Sequence, residues 1–145
     1  MLMVPTFVAP STIAGYGLFA AEAISAETVW WKFVEGFDSV LTQEQVDKLP
    51  LLARQHITTY ASLWKGLWIH CSDHAVFTNH SDHPNSYGVY PDGVIFGWSI
   101  TRRAIARGEE ITEDYRTFCD DWRSYPFVGH HTNGAAAADV RASQI

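Results

Sequence analysis

The chain carries two polar stretches that packing alone has little reason to produce. One is Phe77-Thr78-Asn79-His80-Ser81-Asp82-His83-Pro84-Asn85; the other is Gly108-Glu109-Glu110-Ile111-Thr112-Glu113-Asp114-Tyr115. They contain an Asn-His pair, a Pro-Asn that begins four residues after the His, and a distal Glu-Ile-Thr-x-Asp-Tyr. A third piece, Gly15-Tyr16-Gly17-Leu18-Phe19-Ala20, precedes both. Any fold for this sequence must place all three, in this order.

The bulk properties leave room for one domain. At 145 residues and 47% apolar content, the chain can bury a core without covalent staples. No apolar run reaches the roughly 18 residues that a membrane helix needs. Met1-Leu2-Met3-Val4-Pro5 lacks the basic and long apolar regions of a secretory signal. Cys71 and Cys119 do not make a disulfide framework, so a reduced, cytoplasmic setting is the default expectation. A net charge of −6 argues against direct nucleic-acid binding, which usually needs a basic face. It suits a basic protein partner, since complementary charge raises encounter rates. It equally suits an ordinary solvated surface.

Short strands and turns are expected in the first third: Thr6-Phe7-Val8, Tyr16 to Ala21, and the β-branched, aromatic run 28–34. The character then changes. Thr42 reads as an N-cap with Gln45 at N3, and Leu41 and Val46 take the positions of a hydrophobic staple. That helix should stop before Pro50, which can open a second one from Leu51 to about Leu63. Strands return at 67–69, 75–77, 87–90 and 94–101, with a turn at Pro91-Asp92-Gly93. From Gly129 onward the Ala-rich tail carries little information.

Each motif has an ordinary reading in isolation. Two glycines around Tyr16 allow a tight turn, but the third Gly and the helix of a dinucleotide fingerprint are missing. Asn79 and Ser81 can satisfy turn backbone groups. Tyr115 can be a core aromatic with a bonded hydroxyl.

Together and in order, the three pieces resemble the motifs of the SET-domain protein-lysine methyltransferases, across roughly residues 3–122. The resemblance implies a mainly β, β-clip-like fold of several small curved sheets. It also implies a helical insert at about 42–63 and a C-terminal segment threaded as a pseudoknot. Residues 1–128 would form the single domain and 129–145 the tail. S-adenosylmethionine is the implied methyl donor, and a lysine of a protein or basic peptide the acceptor. Gly15, Tyr16 and Gly17 would line the donor pocket. Asn79 would meet the donor's methionine end, and the His80 backbone its adenine.

Tyr115 is the implied catalytic residue. Lysine must be neutral to attack, yet its ordinary pKa is about 10.4. Burial and a neighbouring sulfonium both disfavour the ammonium. A phenol near the nitrogen orients its lone pair without adding negative charge. Tyr87, or Tyr90 in its place, would limit the room for methyl groups. Phe118 and Trp122 would close over donor or substrate, although core packing explains them equally well. Asp114 and Glu110 read as solvated or structural.

The sequence departs from the family pattern in places. Val76 stands where many members have Arg, and Asp82 where they have Cys. No cysteine cluster follows Tyr115, since Cys119 is alone, and no cysteine-rich region precedes the motifs. The family's structural zinc is therefore not expected, and the chain resembles the minimal viral and bacterial members. Self or host, nuclear or cytoplasmic targets, and a homodimer all stay open.

Two rival classes remain. His70, Cys71, Asp73, His74, His80, Asp82 and His83 cluster in sequence, as in a metal-dependent hydrolase. However, no Glu follows His70, and the segment reads as strand and turn. A catalytically weak SET-fold peptide-binding module is the other rival. It would be expected to have lost the Tyr or the Asn-His, and both are intact.

Overall fold

The computed structural model describes residues 1–94, 97–126 and 128. In chain order the strands are β1 (Thr6–Pro10), β2 (Tyr16–Ala20), β3 (Val29–Lys32), β4 (Ser39–Thr42), β5 (Ser62–Trp64), β6 (Leu67–His70), β7 (Asn79–His80), β8 (Ser86–Val89), β9 (Trp98–Thr101) and β10 (Thr112–Glu113). Helices α1 (Gln43–Asp47) and α2 (Leu51–Tyr60) lie between β4 and β5.

Four small sheets result. β1 and β2 form a hairpin, β3-β9-β8 and β4-β6-β5 are antiparallel three-stranded sheets, and β7 pairs with β10 in parallel. This is the mainly β architecture with a helical insert that the motifs implied. The parallel pair joins strands far apart in sequence, as the implied C-terminal threading requires.

The main core collects Leu18, Ala20, Ile24, Trp30, Ala75, Ile105 and Ile111. It thus takes side chains from within the first and last motifs (Leu18, Ala20, Ile111) and from the segments between the motifs. The insert has its own core of Val46, Ile57, Ala61 and Trp68, with Leu41 packed against it. Leu41 thus packs on the same small core as Val46, where a staple would put it. The capping box also forms, with the Thr42 hydroxyl accepting from Gln45 N at 3.2 Å and Gln45 Oε1 accepting from Thr42 N at 2.8 Å.

Three sequence expectations are corrected. The second helix ends at Tyr60 rather than Leu63, because Ser62–Trp64 pairs with Leu67–Ile69 instead. The two-residue loop Lys65-Gly66 has φ of 50° and 76°, the double left-handed turn that suits a tight hairpin. Residues 75–77 are a 3-10 turn over His74–Phe77, not a strand, because Asp73 Oδ1 accepts from Ala75 N at 3.1 Å and caps it. The strand expected over 94–101 begins at Trp98, after a turn in which Val94 N donates to Pro91 O at 3.1 Å. Residues 95, 96 and 127 and the tail 129–145 lie outside the described residues.

Candidate active site

The two polar stretches lie side by side. In the β7–β10 pair, Asn79 stands opposite Thr112 and His80 opposite Glu113. Two residues form too short a strand to hold itself, so side chains reinforce it. Asn85 is buried; its Oδ1 accepts from Thr112 N at 2.9 Å, and its Nδ2 donates to Glu110 O at 2.7 Å. Ser86 Oγ donates to Thr112 O at 2.9 Å. The Pro-Asn element is therefore the clamp that holds the second motif against the first.

The glycine turn closes onto the same place. Asn79 is fully buried, and its Nδ2 donates to Ala14 O at 3.2 Å, Tyr16 O at 3.1 Å and Glu110 Oε1 at 2.7 Å. Gly15 adopts φ 45°, a left-handed conformation that glycine enters freely. At Gly17 a Cβ would come within 2.2 Å of Glu110 Oε1, so only glycine lets that carboxylate reach both Asn79 and Ser11 Oγ, the latter at 2.9 Å. Asn79 Oδ1 is buried with no hydrogen-bond partner among the described residues. The Tyr16 side chain is exposed, so Tyr16 contributes here through its carbonyl.

His80 and Tyr115 form the next layer. Tyr115 N donates to His80 Nδ1 at 3.2 Å, which leaves Nε2 as the protonated nitrogen of a neutral ring. Burial lowers the His80 pKa, against opposing pulls from Asp114 and Asp82. The Tyr115 ring meets His80 edge-on at 5.6 Å, and its hydroxyl donates to Thr78 O at 2.7 Å. Asp82, at the position where many family members have Cys, lies 3.0 Å from the Arg116 guanidinium. An ion pair thus links the two motifs at that point. Burial alone would raise the Asp114 pKa, but its hydrogen bonds from Arg116 outweigh this and hold it below the usual value.

A largely apolar cavity of about 100 Å³ opens beside Tyr115. Tyr90, Phe118 and Tyr125 line it together with Tyr115, Thr78 and Glu113. Phe118 and Tyr125 meet the Tyr115 ring edge-on at 5.5 Å and 5.2 Å. Trp30, Trp31 and Trp64 also line the cavity, and their indole N–H groups are buried without a partner among the described residues. Tyr87 lies elsewhere, on a groove with Arg102, whose guanidinium sits 5.0 Å over its ring. Trp122 packs against the cluster of Tyr115, Cys119 and Val128 and is not among the residues lining the cavity.

Of the four aromatics expected near a channel, Tyr90 and Phe118 share the cavity with Tyr115, while Tyr87 and Trp122 do not. The sequence reading missed Thr78 and the burial of Glu113. Glu113 is 5% exposed, and burial pushes its pKa up to about 7, against the hydroxyls of Ser99 and Ser86. A carboxylate between Thr and Asp gave no hint of burial, because adjacent strand residues normally point opposite ways.

The acidic residues near the motifs are mostly engaged internally. Glu109 pairs with Arg103 at 2.6 Å, Glu110 bonds Ser11 and Asn79, and Asp114 pairs with Arg116 at 2.7 Å. Of the proposed metal ligands, His70 Nε2 instead meets His56 Nε2 at 3.1 Å. Among the described residues no group of three or more His, Cys, Asp or Glu side chains is placed to hold an ion.

Comparison with known proteins shows the family and the fold. The SET domain family model matches residues 15–116. None of the curated proteins matches the chain in sequence. Among solved structures, a candidate histone methyltransferase of Plasmodium falciparum superposes with a TM-score of 0.55 at 18% identity, covering 79% of this chain and 95% of that one. The Chaetomium thermophilum Polycomb Repressive Complex 2 bound to the inhibitor GSK126 superposes with a TM-score of 0.60 at 18% identity, over 83% of this chain and 17% of that chain. A humanized mutant of that complex, also bound to GSK126, gives 0.60 and 18% as well, over 81% and 15%. At this identity the likeness is one of fold.

Proposed function

The chain belongs to the SET-domain family, and from that membership we propose that it transfers a methyl group from S-adenosylmethionine to the side-chain amine of a lysine in a protein. One observation carries the reading. Consecutive residues face different partners: Thr78 lines the cavity and holds the Tyr115 hydroxyl, while Asn79 bonds to the turn that carries Gly15 and Gly17. A donor seated at Asn79 and an amine in the cavity would then be one residue apart.

The residues present fit the donor. The unpartnered Asn79 Oδ1 is a buried acceptor suited to an ammonium. Gly15, in a left-handed conformation, offers backbone without a side chain beside Asn79, where a ligand can approach. Asn79, the glycine turn and the His80 backbone would hold S-adenosylmethionine, which supplies an electrophilic methyl on a sulfonium.

The protein's own groups do the rest. The Tyr115 hydroxyl spends its proton on Thr78 O, so its oxygen offers lone pairs to an amine N–H. That contact turns the nitrogen lone pair toward the donor, and orientation of this kind is worth several kcal/mol in general. Trp30, Phe118 and Tyr125 keep water from the nitrogen, which disfavours the ammonium.

The reading is tested by incubating the protein with a cell lysate and isotope-labelled donor, then mapping the label by mass spectrometry. Label on lysine Nζ is expected. Label on no protein contradicts the reading and favours a peptide-binding module.

A further inference from the structure

Glu113 has no role in the scheme above, yet among the described residues it is the one acid lining the cavity. It lines the same space as Tyr115. Its carboxyl has only neutral hydroxyls beside it, Ser86 Oγ at 3.4 Å and that of Ser99. No Lys, Arg or His is among the described residues lining the cavity. The other titratable groups there are the Cys71 thiol and the phenols of Tyr60, Tyr90, Tyr115 and Tyr125. His80 stands opposite Glu113 in register, but its ring nitrogens face Tyr115 N, Asp82 and Asp114. A buried carboxylate without a counter-ion is costly, and removing that cost requires a cation from outside.

We propose that Glu113 is the counter-ion of the substrate's primary ammonium in this cavity and the acceptor of its proton before transfer, an assignment that rests on the methyltransferase reading. One N–H bond of the ammonium breaks, its proton goes to the Glu113 carboxylate, and the electron pair stays on nitrogen. That pair then bonds the donor's methyl carbon as the carbon–sulfur bond breaks and its electrons return to sulfur. The product leaves as a methylammonium, and Glu113 returns its proton to water. A carboxyl pushed up to about 7 by burial is a better match for this proton than an ordinary glutamate. Burial lowers the ammonium's own pKa toward it.

The test uses n-butylammonium, a mimic of the lysine side chain, titrated calorimetrically into the full chain with no methyl donor. Wild-type affinity should rise about tenfold between about pH 6 and pH 8, the change in ionised fraction across a pKa near 7. Glu113→Gln should bind at least about tenfold more weakly and show no pH dependence. Equal affinity in the variant, a flat wild-type profile, or no binding by either protein overturns the assignment. The wild-type pH series decides the matter even if the variant does not fold. With donor and a lysine peptide, single-turnover transfer should rise through the same pH range in wild type and lose that inflection in Glu113→Gln. An unchanged profile removes the proton-acceptor role. Since the binding assay holds no donor, its outcome is separate from whether any methyl group is transferred.

Discussion

The Tyr115 hydroxyl donates to the carbonyl oxygen of Thr78 at 2.7 Å, the residue immediately before Asn79. The catalytic candidate is thereby fixed to the strand that carries the proposed donor-binding Asn. Tyr115→Phe removes this bond and keeps the ring packing with His80, Phe118 and Tyr125. Turnover on a lysine peptide should fall about 100-fold, the scale of lost orientation. Donor affinity should stay within about twofold, since the hydroxyl acts on the amine. Steady-state kinetics beside donor calorimetry checks this, and wild-type kcat would make Tyr115 purely structural.

Asn79→Ala should weaken S-adenosylmethionine binding by at least about tenfold, because a buried acceptor and three donor contacts go with the side chain. Calorimetry in the presence of a chelator measures it. Unchanged affinity takes Asn79 out of the donor pocket.

Gly17→Ala should destabilise the fold by about 1–3 kcal/mol, the usual range for overpacking. The new methyl displaces a Glu110 carboxylate that Ser11 and Asn79 hold in place. Denaturant unfolding reads the loss. Gly17→Ala combined with Glu110→Ala should recover part of it, and a double variant no better than the single would show that the clash lies elsewhere.

Burial raises the folded-state pKa of Glu113 to about 7. A raised value means the folded chain binds the proton more tightly than the unfolded one. The contribution is therefore fully present below the unfolded value near 4.5 and is lost as pH rises through about 7. Glu113→Gln removes this dependence. Relative to wild type it should gain stability between acid and about pH 8, on the order of 3 kcal/mol at most. His80 has a depressed pKa and works in the opposite direction, its contribution being lost as pH falls through the folded value, so only the difference between the two proteins is diagnostic. Parallel unfolding curves at acid and alkaline pH test it. A constant difference would mean that Glu113 titrates normally.

Truncation separates the aromatic segment from the tail. Removing residues 118–145 deletes Phe118 and Tyr125 from the face of Tyr115 and should abolish activity. Removing 130–145 should leave fold and activity unchanged. Activity in the shorter chain would show that the aromatics do not close the site. Its loss in the longer chain would assign a function to the tail.

The three motifs and their order were legible because their residue types serve contacts that no other types serve. Asn85 needs both ends of its amide to clamp Thr112 and Glu110, and Gly17 must lack a Cβ. The staple of Leu41 and Val46 was equally local and equally readable. What escaped was set by partners distant in sequence. Ala61 and Leu63 continue a helical pattern, but pairing with β6 across Lys65-Gly66 wins. Glu113 looks like a surface residue until Ser86, Ser99 and the cavity close around it. Thr78 matters through its carbonyl, which no side-chain pattern reveals.

The central claim is lysine methylation at the site built by Thr78, Asn79 and Tyr115. It is tested most directly by incubating wild type and Tyr115→Phe in parallel with one lysate and isotope-labelled S-adenosylmethionine, then mapping the label by mass spectrometry. Labelled methyl is expected on lysine Nζ of one or a few proteins with wild type, and at most about one hundredth of that signal with the variant. Equal labelling by both proteins, or donor binding with no lysine labelled, would contradict it.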